Sequence, residues 1–272
     1  MKTRIIAGTT LFFILVAVVL VNGSFPLILN ILIALMSSVG VHEFCKAYSA
    51  DSHKWLHIPS IIVAALVPFA GFVPNGVLLV YALYTLAVFF AVIRNHEELK
   101  FSEMIPVYGM TVIIPNALNF IVELRDINSE HGMFFAMLAI LGPWIADSGA
   151  YFTGSFFGKH KLCPVISPKK TVEGFIGGII VSVLAMLVAG LVFDKLYIVE
   201  NLKFVYIALA ICGVLNGFVS VVGDLSFSII KREKGIKDYG KLIPGHGGIL
   251  DRFDSVIFVA PFVYLVVKLF GI

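Results

Sequence analysis

The chain has 272 residues, of which 59% are hydrophobic and 14% charged, with a formal net charge of +3. Soluble domains are typically about 45–50% apolar and about 25% charged, so this chain has too little polar surface to solvate a globule of its length, and an integral membrane protein is expected. Its cysteines, Cys45, Cys163 and Cys212, are scattered without CxxC spacing, which argues against a disulfide framework or a thiolate metal site.

A membrane-crossing helix needs roughly 20 apolar residues. In chain order the candidates are 5–21, 25–44, 57–71, 74–93, 104–123, 132–153, 173–193, 203–224 and 252–270. The first has the basic start and apolar core of a signal peptide, but no small-x-small cleavage site follows, so it is read as a retained span. The third is short and flanked by Pro59, Pro68 and Pro74, so a broken or tilted helix is expected there. The sixth begins apolar and then turns into ADSGAYFTGSFFG. With the N-terminus inside, nine crossings leave only Arg125, Lys195, Lys203 and Lys268 of the 20 Lys and Arg residues outside. Lys and Arg are retained on the cytoplasmic side. The fold expected is therefore an all-α, polytopic membrane protein of about nine transmembrane helices, N-terminus cytoplasmic and C-terminus outside. Five spans would form an N-terminal part, 1–131. Four would form a C-terminal membrane domain, 132–272, with cytoplasmic loops at 154–172 and 225–251. Gly174, Gly178 and Ser182 recur every four residues in the seventh span, a small-residue face suited to close helix packing.

Residues 224–254, DLSFSIIKREKGIKDYGKLIPGHGGILDRFD, are the stretch least suited to a membrane. Asp224 closes one apolar segment, and Asp251 and Asp254, at i and i+3 on one helical face, open the last. Carboxylates near membrane depth usually pair, line a wet cavity or bind something. Grouped Asp residues are hard oxygen ligands of the kind Mg²⁺ takes, alongside waters and substrate phosphates. The simpler alternative has Asp251 capping the last helix and Asp254 pairing with Arg252 or a lysine. Between the carboxylates lie Lys231, Arg232, Lys234, Lys237 and Lys241, and then Gly245, His246, Gly247 and Gly248. Glycines let backbone N–H groups approach an anion closely. A basic loop also suits an anionic lipid surface.

A second polar stretch, WIADSGAYFTGSFFGKHKLCPVISPKKTVEG (144–174), places Asp147 inside an apolar helix. It also sets Ser167, Lys169, Lys170 and Thr171 before Glu173 at the start of the next helix, where a phosphate is readily bound. Thr171 and Glu173 equally suit helix capping. A third stretch, HEFCKAYSADSHK (42–54), carries a weaker signal, since Glu43 and Lys46 can pair along a helix. RNHEELK (94–100) reads as an ordinary membrane-edge loop.

Ser228, Lys231, Arg232, Lys237, Asp238, Gly240, Ile243, Pro244, His246, Gly247, Gly248, Ile249, Asp251, Arg252, Phe253 and Asp254 together match the C-terminal signature of the phosphatidate cytidylyltransferases without departure. The chain resembles that family over 144–174 and 216–254. The resemblance implies transfer of the CMP moiety of CTP to phosphatidic acid, giving CDP-diacylglycerol and pyrophosphate in phospholipid biosynthesis. It implies Asp224, Asp251, Asp254, Lys237 and His246 as catalytic residues, with Asp224, Asp251 and Asp254 holding metal and Asp147 and Glu173 as weaker metal candidates. Lys169, Lys170, Lys231, Arg232, Ser167, Thr171, Gly247, Gly248 and Arg252 would bind substrate. The cofactor implied is Mg²⁺, with Mn²⁺ or a second cation as alternatives. Implied partners are CTP, phosphatidic acid and the lipid bilayer, without a nucleic-acid polymer, and a homodimer is compatible. The expected location is the cell's inner membrane, with the site on its cytoplasmic face. The rival readings are a polyprenol- or dolichol-type lipid kinase and, from another class, an anion transporter.

Overall fold

The computed structural model describes residues 2–48, 53–98, 100–197, 202–243, 245 and 247–272. These form α1 (Lys2–Asn22), α2 (Leu27–Tyr48), α3 (Lys54–Leu66), a 3₁₀ segment (Val67–Phe72), α4 (Gly76–Arg94), α5 (Phe101–Ile127) and α6 (Gly132–Phe157). A short hairpin follows, β1 (Lys161–Cys163) and β2 (Ser167–Thr171), and then α7 (Val172–Leu196), α8 (Leu202–Glu233) and α9 (Leu250–Phe270). The architecture is all-α and polytopic: among the described residues, 8 segments, α2 through α9, are long and apolar enough to cross a membrane. The remaining expected crossing falls on α1.

Three local features of the helices and the hairpin have physical causes. The third crossing is indeed broken: α3 tightens into the 3₁₀ segment, with Pro68 at its start, where the missing N–H and the ring oppose a regular α-helix. The Asn30 amide donates to the Pro68 carbonyl at 2.6 Å and satisfies it inside the protein. The eighth crossing does not end at Asp224. LSFSIIKRE contains neither Gly nor Pro, so α8 continues for 32 residues to Glu233 and stops before Gly235, at φ 67°, a common way for helices to end. A helix of that length spans about 48 Å, longer than a hydrocarbon core of about 30 Å. The polar stretch after α6 is not a plain loop: β1 and β2 pair antiparallel, with Lys161 opposite Thr171 and Cys163 opposite Ser167.

By its contacts the chain groups into two compact units: Met1–Val122 with Lys234–Phe253, and Glu123–Glu233 with Asp254–Ile272. This differs from the expected consecutive division at 131/132, because the segment after α8 belongs with the N-terminal helices. In the first unit, polar side chains within apolar helices satisfy one another. The Ser60 hydroxyl meets the Tyr84 hydroxyl at 2.8 Å, Thr85 meets Tyr108 at 2.8 Å, and the Tyr84 and Tyr108 rings stack at 5.3 Å. In the second unit, α7 packs closely on both α6 and α8. A methyl group at Gly178 would stand 2.9 Å from the Ala146 carbonyl oxygen, and one at Gly217 would stand 2.5 Å from the Ile179 Cα. The small-residue face of α7 is therefore a packing face, as expected for helices that associate without a hydrophobic driving force.

Candidate active site

In the second unit a cavity of about 650 Å³ opens between α6, the hairpin, α7 and α8. Helix α6 contributes Asp147 and Tyr151, four residues apart and so on one face, and α8 contributes Asp224. The hairpin supplies the basic wall, with Lys161, Ser167, Lys169, Lys170 and Thr171. Lys170 forms an ion pair with Asp224. Thr171 is the N-cap of α7: its backbone is extended and its hydroxyl oxygen accepts from the Gly174 N–H at 3.1 Å. Local chain chemistry thus ends the strand and starts the helix at a point that holds both lysines over the cavity. Glu173 lies in the first turn of α7 but is not among the cavity walls. Its carboxylate accepts from the His160 imidazole at 2.6 Å and from the His160 backbone N–H at 3.2 Å, tying the base of the hairpin to α7.

Asp254, at the start of the last helix, is buried. Its Oδ1 accepts from the Ser255 N–H at 2.7 Å, and the Ser255 hydroxyl lies 3.3 Å from both Asp254 Oδ1 and Asp147 Oδ2. One hydroxyl proton therefore serves two carboxylates. Asp224, Asp147 and the buried Lys231 are the charged groups that act on Asp254 at close range. Asp224 and Lys231 are seven residues apart, two turns along one face of α8. Three carboxylates thus share a small region with two lysine ammonium groups, an excess of negative charge that a divalent cation would relieve. Among the described residues, no group of three or more His, Cys, Asp or Glu side chains forms a preformed metal cage. That arrangement is compatible with Mg²⁺, which is usually bound through one or two carboxylates plus waters and substrate phosphates.

The glycine-rich signature lies in the first unit. Asp251 is buried, and its Oδ2 accepts from the Tyr239 N–H at 2.8 Å and the Gly248 N–H at 3.0 Å. Gly247 has φ 85° and leaves room for that carboxylate. The Glu43 carboxylate, from α2, accepts from the Ile249 N–H at 3.1 Å and the Leu250 N–H at 2.9 Å. Of the glycines whose N–H groups the sequence offered to an external anion, Gly248 gives its N–H to the protein's own Asp251. Glu43, which the sequence offered as able to pair with Lys46, caps α9.

Of the residues singled out in the sequence, the structure brings Asp147, Ser167, Lys169, Lys170, Thr171 and Asp224 to one cavity and sets Asp254 and Lys231 into the same charge network. Asp251, Gly247 and Gly248 belong to the loop's internal bonding. Arg232 and Lys237 are exposed, and Arg252 is half-buried. His246 lies outside the described residues. Lys161, Tyr151 and Ser255 were not named as site residues; Lys161 and Tyr151 lay inside the flagged polar stretch, and Ser255 directly follows the signature.

A description of the cytidylyltransferase family matches residues 2–270. The chain is 33% identical over 285 residues to a phosphatidate cytidylyltransferase of Bacillus subtilis (strain 168), covering 100% of this chain and 99% of that one. It is 35% identical over 269 residues to the enzyme of that name from Staphylococcus saprophyticus, covering 96% of each. It is also 46% identical over 142 residues to that of Staphylococcus aureus (strain COL), covering 52% of this chain and 50% of that one. The family match and the first two of these relatives run along essentially the whole length, so the chain belongs to the cytidylyltransferase family.

Proposed function

We propose that the protein transfers the CMP moiety of CTP to phosphatidic acid, releasing pyrophosphate and forming CDP-diacylglycerol. The observation that carries this reading is the cavity itself. It sits among apolar helices, has a volume within the range of about 300–1,000 Å³ common for small-molecule sites, and sets three hairpin lysines opposite Asp147 and Asp224. Family membership and the names of the full-length relatives support it.

The reaction joins two polyanions. An oxygen of the lipid phosphate forms a bond to the α-phosphorus of CTP while the bond from that phosphorus to the β-phosphate oxygen breaks, and the electron pair leaves with pyrophosphate. A phosphate monoester is largely dianionic near neutrality, so it needs no strong general base, and catalysis is positioning plus charge stabilisation. Lys161 and Lys169 offset the charge of the incoming phosphates. Lys170, paired with Asp224, stands at the boundary between the basic and acidic walls and can turn to a phosphate oxygen. Asp224 and Asp254, with Asp147 beside them, are the residues that would hold Mg²⁺. When bound, Mg²⁺ would neutralise phosphate charge and polarise the phosphoryl oxygens. The distribution of the 20 basic residues along the sequence supports a cavity on the cytoplasmic side of the inner membrane, where CTP would meet a lipid phosphate at the headgroup plane.

CTP labelled on its α-phosphate, supplied with phosphatidic acid to the detergent-solubilised protein, should pass label into lipid, and EDTA should abolish this. Transfer of label only from the γ-position would establish a lipid kinase instead.

A further inference from the structure

Glu43 is a carboxylate near the C-terminal end of α2, only 6% exposed, on a helix remote in sequence from the rest of the chemistry. Both of its oxygens are used: one accepts from Ile249, the other from Leu250, across 206 and 207 residues of chain. Those N–H groups are the unsatisfied donors at the start of α9, where the helix dipole favours negative charge. The glycines around them have a steric reason to be glycines. A methyl group at Gly240 or at Gly248 would collide with the Glu43 carboxylate. The neighbouring turns of α2 extend the docking surface. Phe44 lies 6.2 Å from the buried Tyr239 ring, and the Lys234 ammonium sits 3.6 Å over the Tyr48 ring.

We propose that Glu43 is a positioning residue of the signature loop: from α2, its carboxylate clasps the backbone of Ile249 and Leu250, and so fixes Asp251 and the first turn of α9 in the geometry the reaction uses. Gly240 and Gly248 are then required because they make room for that carboxylate. Together Glu43 and Asp251 hold four backbone N–H groups, those of Tyr239, Gly248, Ile249 and Leu250. The loop is thereby folded onto the protein's own charges before substrate arrives. The catalytic part of this inference rests on the transferase reading above; the clasp does not.

The test is a double-mutant cycle on the full-length protein in detergent, read by melting midpoint and by kcat and KM per folded molecule. Gly248→Ala should lower the midpoint by several degrees in the wild-type background and by clearly less in a Glu43→Ala background, where the methyl group occupies vacated space. Equal drops in the two backgrounds would overturn the clasp. Glu43→Asp, shorter by one methylene, serves for the cycle if Glu43→Ala is not recovered folded. Glu43→Gln keeps the volume but offers one accepting oxygen in place of two. It should lower kcat about ten- to hundredfold, the scale of a misplaced catalytic group, with KM for phosphatidic acid changed by less than about twofold. A kcat unchanged per folded molecule would overturn the positioning role. If the wild type transfers no label from CTP, the reaction reading fails while the melting cycle still decides the clasp.

Discussion

Asp224 and Asp254 show how a residue's neighbours decide its use. Each lies at the boundary of an apolar segment, and neither is isolated: Asp224 pairs with Lys170, and Asp254 shares the Ser255 hydroxyl with Asp147 under the field of Lys231. Replacing either by Asn keeps the shape and removes one negative charge from a crowded set. Asp224→Asn and Asp254→Asn should each reduce turnover by about a hundredfold or more, the scale of losing one preorganised electrostatic group. The melting midpoint should not fall for Asp254→Asn, because like-charge repulsion is relieved. Near-normal turnover in both variants would remove these carboxylates from the reaction. The aspartates and their spacing were legible in the sequence, as was the phosphate-suited SPKKT run. The pairing of Lys170 with Asp224 was not, because the partners are 54 positions apart and meet only when α7 packs on α8.

At the scale of elements, the β-hairpin between α6 and α7 carries the basic wall. It is short, 3 and 5 residues, and two features hold its end in place. His160 is bound by Glu173, and Thr171 caps α7. Thr171→Val keeps the volume and removes the acceptor for the Gly174 N–H. The expected loss is about 1 kcal/mol of stability, with a several-fold rise in KM for CTP as the two adjacent lysines lose their anchor. A KM unchanged beside the expected drop in melting midpoint would confine Thr171 to helix capping. The sequence pointed to Thr171 and Glu173 as capping residues on local grounds. It did not point to a strand, since five residues with a proline and two lysines carry no strand alternation. The strand appears only through its pairing with β1, Lys161 opposite Thr171 and Cys163 opposite Ser167.

For the whole molecule, crossing segments follow from apolar length alone, and these agree with the helices from α2 to α9. Orientation rests on the distribution of basic residues, and it is directly measurable. A cysteine appended after Ile272 in a cysteine-free background should react with a membrane-impermeant maleimide from outside intact cells. One introduced at Lys237 should react only after permeabilisation. Labelling of both from the same side would mean that the chain crosses the membrane a different number of times between them.

The sequence by itself determined the membrane character, the approximate crossings, the aspartates and lysines of the candidate site and the family to which the chain belongs. All of these are carried by hydrophobic run length and by spacings of a few residues, which survive without knowledge of the fold. Only the tertiary structure decided where the glycine-rich signature is anchored. Residues 224–254 read in the sequence as one continuous site. In the structure Asp224 and Asp254 join the second unit, while Lys234–Phe253 folds back onto α2 in the first. The reason lies in Glu43. A buried carboxylate must find donors, the start of α9 supplies two, and glycines at 240 and 248 allow the approach. No local pattern in the sequence around either partner encodes that the other will be there.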